Sequence, residues 1–219
     1  MKGLLIKDIH LVMTNGRLFF IVIFIGVMTM VLGSDMSAFF VGYVTLIFSF
    51  QVCTTISYDT FEHADAFLMT LPITKKMYVA EKYVFGLLCA AIGWCLAFLV
   101  ENIFRLTGFT ELSQTEAWAG SLAILAFGLL LVGICIPVQL EFGGDNGKMV
   151  VMAIAVAAMV AAFLVIKLVA ALGIDIGQAV EYLLVTKMYV SFAVMTGILV
   201  MLYVISFLCS LHIMNHKEF

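Results

Sequence analysis

The fold this sequence predicts is an all-α integral membrane protein with six transmembrane helices and both termini cytosolic, and three observations predict it. Of 219 residues, 64% are hydrophobic and only 11% charged, with a mean hydropathy of +1.19; a soluble domain is about half apolar and about a quarter charged. The apolar residues gather into runs of the length that crosses a bilayer, about 20 residues, which leaves no room for an extramembrane domain of ordinary size. The charged residues lie in the short stretches between those runs or towards the ends of the runs, with Lys and Arg concentrated on alternate stretches.

Taken in order, residues 1–17 read MKGLLIKDIHLVMTNGR. Lys7, His10, Thr14 and Arg17 recur at helical spacing, with Leu5, Ile9, Val12 and Met13 roughly opposite. That pattern predicts an amphipathic helix lying in the membrane interface, its basic edge towards lipid headgroups; the plainer reading is the cytosolic start of the first span. The segment is too long and too patterned for the charged leader of a signal peptide, and no small-x-small cleavage site follows, so no cleavable signal is expected. Spans are predicted at about 18–34, 37–57, 79–104, 119–138, 149–172 and 188–211, making residues 1–219 a single transmembrane domain. Gln51, Thr54, Thr55 and Ser57 cluster in the inner half of the second span, where such groups bond a neighbouring helix or their own backbone. Cys53, Cys89, Cys95, Cys135 and Cys209 all fall in apolar runs without a CxxC pair or a histidine at ligand spacing, and read as small apolar residues.

Orientation follows from Lys and Arg in the short connections. With the amino terminus inside, that side holds Lys2, Lys7, Arg17, Lys75, Lys76, Lys82, Lys148 and Lys217; the other receives Arg105, Lys167 and Lys187. Eight against three puts both termini in the cytosol. The longest cytosolic connection then joins spans two and three. Within it, residues 58–82 (YDTFEHADAFLMTLPITKKMYVAEK) carry Asp59, Glu62, His63, Asp65, Lys75, Lys76, Glu81 and Lys82, the densest run of charge in the chain. This stretch is expected to face water and dock a partner.

Several chemistries are excluded. The one phosphate-loop candidate, Gly143, Gly144, Asp145, Asn146, Gly147 and Lys148, has the wrong spacing, and Met149 stands where Ser or Thr must reach magnesium. The chain is therefore not expected to bind ATP. An ion-driven carrier buries ionisable groups near the bilayer midplane, whereas the middles of all six predicted spans lack Asp, Glu, Lys, Arg and His. Glu101, Arg105 and Lys167 lie towards outer ends of spans. Glu101 sits one turn from Arg105, so the pair reads either as a local ion pair or as an outer gate or substrate contact. Glu62, His63 and Asp65, and His212 with His216 at i, i+4, are residue types that ligate metals. Neither set shows a third ligand of matching type, and both read as solvated polar groups at a membrane edge, so no metal and no catalytic residue is expected. What remains is a membrane protein that borrows energy from a partner, with a stand-alone carrier or channel and a membrane-bound enzyme as the competing classes.

Four features together resemble one family. Residues 4–11 (LLIKDIHL) resemble the Leu-Leu-x-Lys-Asp start of its amphipathic first helix, and residues 57–84 resemble its signature of an acidic helix, Leu-Pro-hydroxyl-basic, then a helix into span three. Residues 136–148 (IPVQLEFGGDNGK) resemble the connection after span four, and the six-span layout agrees. The chain is thus similar to permease subunits of type II ABC exporters, in the compact bacterial branch whose ATPase is a separate protein. Within it, the chain resembles permeases that export amphipathic peptides, such as the phenol-soluble modulin exporter. Asp145 and Asn146 depart from the family, which carries a more basic connection there.

The resemblance implies a multi-pass protein of the bacterial cytoplasmic membrane, surrounded by lipid and working as a homodimer or with a second permease. Two ATPase subunits would bind ATP and magnesium; this chain would hold no cofactor and contact no nucleic acid. The connection at 58–78 would carry a coupling helix at Asp59 to Thr70, seated in the ATPase. Phe61, Phe67 and Leu68 would be its apolar anchors, with Asp59, Glu62, His63 and Asp65 around them. Pro72 would turn the chain towards span three, with Lys75 and Lys76 as a basic collar at anionic headgroups.

Overall fold

The computed structural model of the chain describes residues 2–14, 16, 20, 24, 26–28, 37–60, 68, 70, 73–106, 114–143, 146–147, 149–151, 153 and 188–217. Among these residues the structure is all helix, without strands: α1 (Lys2–Thr14), α2 (Ser37–Ser49), α3 (Gln51–Thr60), α4 (Lys75–Leu106), α5 (Gln114–Phe142) and α6 (Met188–His216). Four described helical stretches are long and apolar enough to cross a membrane: Phe39–Thr60, Lys75–Leu106, Ala117–Phe142 and Thr196–His216. They correspond to the second, third, fourth and sixth predicted spans. The predicted spans at 18–34 and 149–172 lie largely outside the described residues.

Helices α2 and α3 form one membrane-length stretch interrupted at Phe50, whose carbonyl accepts the amides of both Cys53 and Thr54 at 3.1 and 3.3 Å. Hydroxyls flank the interruption. Ser49 donates to the Thr45 carbonyl at 2.8 Å, Thr55 to Val52 at 2.9 Å and Ser57 to Cys53 at 2.9 Å. Such back-bonding lets a hydroxyl sit buried in an apolar helix and tends to bend it. Ser57 also accepts a bond across to α5, from Gln139 Nε2 at 2.6 Å.

Helix α4 starts where Thr74 acts as N-cap, its Oγ1 accepting the Met77 amide at 3.2 Å. It packs against α2, α5, α6, α1 and α3, and so forms the centre of the bundle. Two glycines let its neighbours approach: a Cβ on Gly93 would lie 2.5 Å from Phe48 Cβ on α2, and one on Gly86 2.7 Å from Val132 Cγ1 on α5. Val52, Ile56, Val79, Phe85, Val132 and Ile136 fill the core between α3, α4 and α5.

Pro137 lies inside α5. Proline has no amide hydrogen, so the Gly133 carbonyl one turn back loses its helical donor. Ser206 of α6 donates to that carbonyl instead. The repair extends to α4, because Tyr83 OH lies 2.6 Å from Ser206 Oγ and 2.8 Å from Ser210 Oγ. Helix α5 runs to Phe142, a turn past the predicted end of span four, and stops at Gly143 (φ 70°), whose amide bonds the Gln139 carbonyl at 3.0 Å.

Candidate functional site

The ends of α3, α5 and α6, the start of α4 and part of α1 gather at one end of the bundle. Two lysines cap helices there: Lys75 Nζ donates to the carbonyls of Asn215 at 3.4 Å and Lys217 at 2.8 Å, and Lys217 Nζ to that of Leu140 at 3.4 Å. Cations near free C-terminal carbonyls are favourable.

Behind these caps lies a buried charge cluster built from three helices. Lys82 of α4 has no exposed surface; its Nζ reaches Asp8 Oδ2 of α1 at 2.5 Å, Asp59 Oδ2 of α3 at 2.8 Å and Thr55 Oγ1 at 3.3 Å. Lys7 of α1 donates to Asp59 Oδ1 and lies 3.2 Å from Asp8 Oδ1. Tyr78 donates its phenolic proton to Asp59 Oδ2 at 3.0 Å, and its ring sits 5.3 Å from the Lys82 ammonium. Glu81 completes the set at 3.8 Å from Lys82, close enough for a charge contact and too far for a hydrogen bond. Two cations thus face three carboxylates, at a site where Asp8, Glu81 and Lys82 are each 0% exposed and Asp59 5%.

Isolated charges in such surroundings are costly, and ion pairs there persist only with close geometry and further hydrogen bonds. Asp59 has both: two ammonium groups and a phenol. The consequence is mechanical. Asp59 ends the limb that enters the 60–74 connection, while Tyr78 and Lys82 begin the limb that leaves it. Their bonds staple the two limbs together, and Lys7 and Asp8 staple both to α1.

The expected site residues are distributed unequally around this cluster. Asp59 is buried inside it. Leu68 is partly buried and packs on the same core that holds Tyr78 and Val79. Lys75 is half-buried as a helix cap, and Lys76 is exposed. Phe61, Glu62, His63, Asp65, Phe67, Pro72 and Lys167 lie outside the described residues. Glu101 is 5% exposed and Arg105 half-buried at the opposite end of α4, about 40 Å from its start at 1.5 Å per residue. Arg105 donates there to Asn102 Oδ1.

One expectation is corrected. The helical stripe of α1 put Lys7 on an edge facing headgroups, but it turns inward, because Asp59 offers a buried partner that a headgroup cannot match. His10 and Thr14 of that stripe are exposed. Sequence reasoning passed over Asp8 and the pairing of Lys82, although a signal existed. Leu4, Asp8 and Val12 share one face of α1, and Tyr78, Lys82, Gly86 and Cys89 one face of α4. A charge interrupting an apolar stripe asks for a buried counter-charge.

A family model described as ABC-2 family transporter protein matches residues 3–215. No curated protein matches the chain, and no solved structure matches it.

Proposed function

Because the chain belongs to the ABC-2 family of transporter proteins, it is a permease subunit of an ABC transporter, and we propose that it serves an exporter driven from the charged end of the bundle. Subunits of this family form the membrane component and work with an ABC ATPase. In the proposed arrangement the charged end is cytosolic, since the described Lys2, Lys7, Lys75, Lys76, Lys82 and Lys217 all belong to it and Arg105 to the other. Two ATPase subunits dock on a pair of permeases through the connection at 58–78, with Phe61, Phe67 and Leu68 as anchors and Glu62, His63 and Asp65 as their polar rim. Amphipathic peptides are the proposed cargo, on the strength of the sequence resemblance.

The observation that carries the proposal is the staple at Asp59. A connection whose two limbs are bonded to each other and to α1 has no loose joint at its base. Displacement of the connection by a motor is therefore passed to α1, α3 and α4 together.

Co-expression with a candidate ATPase tests this. The permease is expected to co-purify with the ATPase and change its hydrolysis rate, and amphipathic peptides are expected to change it further, against lipids and small drugs as controls. Phe67→Ala, or charge reversal at Glu62 and Asp65, is expected to abolish that effect with the permease still inserted. Transport by the purified chain alone down an ion gradient would replace this proposal with a stand-alone carrier.

A further inference from the structure

At the same end of the bundle, Leu140 and Glu141 of α5 and His212, Ile213, His216 and Lys217 of α6 line a cleft of about 300 Å³. We infer that this cleft, together with the α6 face that leads to it, binds a phospholipid whose headgroup carries a phosphate and a primary ammonium, as phosphoethanolamine does.

The α6 face supplies the first reason. Ile198, Met201, Ile205 and Leu208 recur every three or four residues and so share one side of the helix with His212 and His216. The four apolar side chains are each between 47% and 58% exposed. From Ile198 to Leu208 the face rises about 15 Å at 1.5 Å per residue, which is the hydrocarbon depth of one leaflet, half of about 30 Å. Polarity then changes within a turn. His212, His216 and Lys217 follow on α6, and Glu141 stands on α5 just past the predicted end of span four. An apolar strip one leaflet long that ends in a polar cleft has the outline of a phospholipid rather than of a soluble ligand, and polar clefts between the ends of spanning helices are where headgroups are held.

The polar groups of the cleft select the headgroup. Glu141, His212 and His216 are exposed, so a headgroup can reach them. The Lys217 ammonium is held at the cleft by its bond to the Leu140 carbonyl at 3.4 Å. With both imidazoles neutral, the cleft therefore carries one charge of each sign. A headgroup that also carries one of each leaves none unmatched, whereas a purely anionic one would face the Glu141 carboxylate. The hydrogen bond of His216 points the same way. Its Nδ1 lies 3.0 Å from the His212 carbonyl oxygen. A carbonyl only accepts, so in the neutral ring Nδ1 carries the proton and Nε2 keeps a lone pair. That nitrogen, like the Glu141 carboxylate, calls for a donor. A primary ammonium brings three N–H donors, and the phosphate beside it takes the Lys217 ammonium. A trimethylated ammonium has the same charge and no N–H, so a choline headgroup offers neither acceptor a hydrogen bond.

The test is native mass spectrometry of the purified full-length protein in detergent, with phosphatidylethanolamine, phosphatidylcholine and phosphatidylglycerol of identical acyl chains added in turn. The ethanolamine lipid is expected to bind about tenfold more tightly than the choline lipid, the effect of one charged hydrogen bond, and more tightly than the glycerol lipid. Glu141→Gln and His216→Phe should each narrow the preference for ethanolamine over choline. Ile205→Ser should weaken both lipids alike, because it alters the acyl strip alone. All three side chains are exposed, so thermal melting in lipid-free detergent should match the parent protein and separate loss of binding from loss of fold. Equal binding of the ethanolamine and choline lipids, tightest binding of the glycerol lipid, or an unchanged preference in the two headgroup variants overturns the inference. So does a lipid-free dimer that shields Ile205→Cys from a maleimide, since the α6 face would then belong to a second copy of the chain.

Discussion

Lys82 and Glu81 are neighbours in sequence, equally buried, and opposite in consequence. Lys82 holds Asp8 and Asp59 at 2.5 and 2.8 Å, so removing its ammonium strands two buried carboxylates. Breaking a buried pair in this way costs about 3–5 kcal/mol. Lys82→Met is expected to lower the melting temperature of the solubilised protein sharply, and adding Asp8→Asn should recover part of the loss by deleting one stranded charge. Glu81 differs because neither of its oxygens accepts a hydrogen bond among the described residues. It adds a third negative charge to a cluster with two cations. Glu81→Gln is therefore expected to leave the melting temperature unchanged or raise it. A fall comparable with that of Lys82→Met would show that Glu81 belongs to the pairing after all.

Among helices, the contact of α5 with α6 depends on a defect. Pro137 frees the Gly133 carbonyl, and Ser206 satisfies it from α6. Ser206→Ala should destabilise by about 1–3 kcal/mol, the cost of an unsatisfied buried acceptor, as read from thermal melting. Restoring the missing amide with Pro137→Ala in the same chain should rescue much of that loss. If the double variant melts no higher than Ser206→Ala, the serine is not repairing the proline. The α2–α4 contact depends on absence of a side chain instead. Gly93→Ala would place Cβ 2.5 Å from Phe48 Cβ, an atom fixed to the backbone, so the helices must part, at about 1–3 kcal/mol. Gly42→Ala, with nothing within 4 Å, is the control and should melt no lower than the parent.

For the molecule as a whole, the asymmetry of charge between its ends predicts its orientation. In a chain with its native cysteines replaced, Lys76→Cys at the charged end and Leu106→Cys, 87% exposed at the other, should react with a membrane-impermeant maleimide from opposite sides. Leu106→Cys should label in intact cells and Lys76→Cys after lysis alone. Labelling of both from one side would overturn the placement of the ATPase face. The same asymmetry bears on coupling: a motor docked as proposed at the charged end would meet a stapled base, and the far end of α4, with Glu101 and Arg105, lies about 40 Å away.

Class, helical content and the positions of the long apolar helices were legible in the amino-acid sequence, because the length and polarity of each run are local properties that a bilayer reads directly. The stretch from Tyr58 to Lys82 was expected to face water throughout, and only part of it does. Lys76 and Tyr58 are exposed, whereas Asp59, Tyr78, Glu81 and Lys82 are buried. Hydropathy locates a charge along the membrane normal but says nothing of the direction in which it points around its helix. Lys82 and Asp8 are 74 residues apart and Lys7 and Asp59 are 52, separations that no periodicity spans. Which helices lie side by side decided those pairs, and with them whether each charge meets water or a counter-charge.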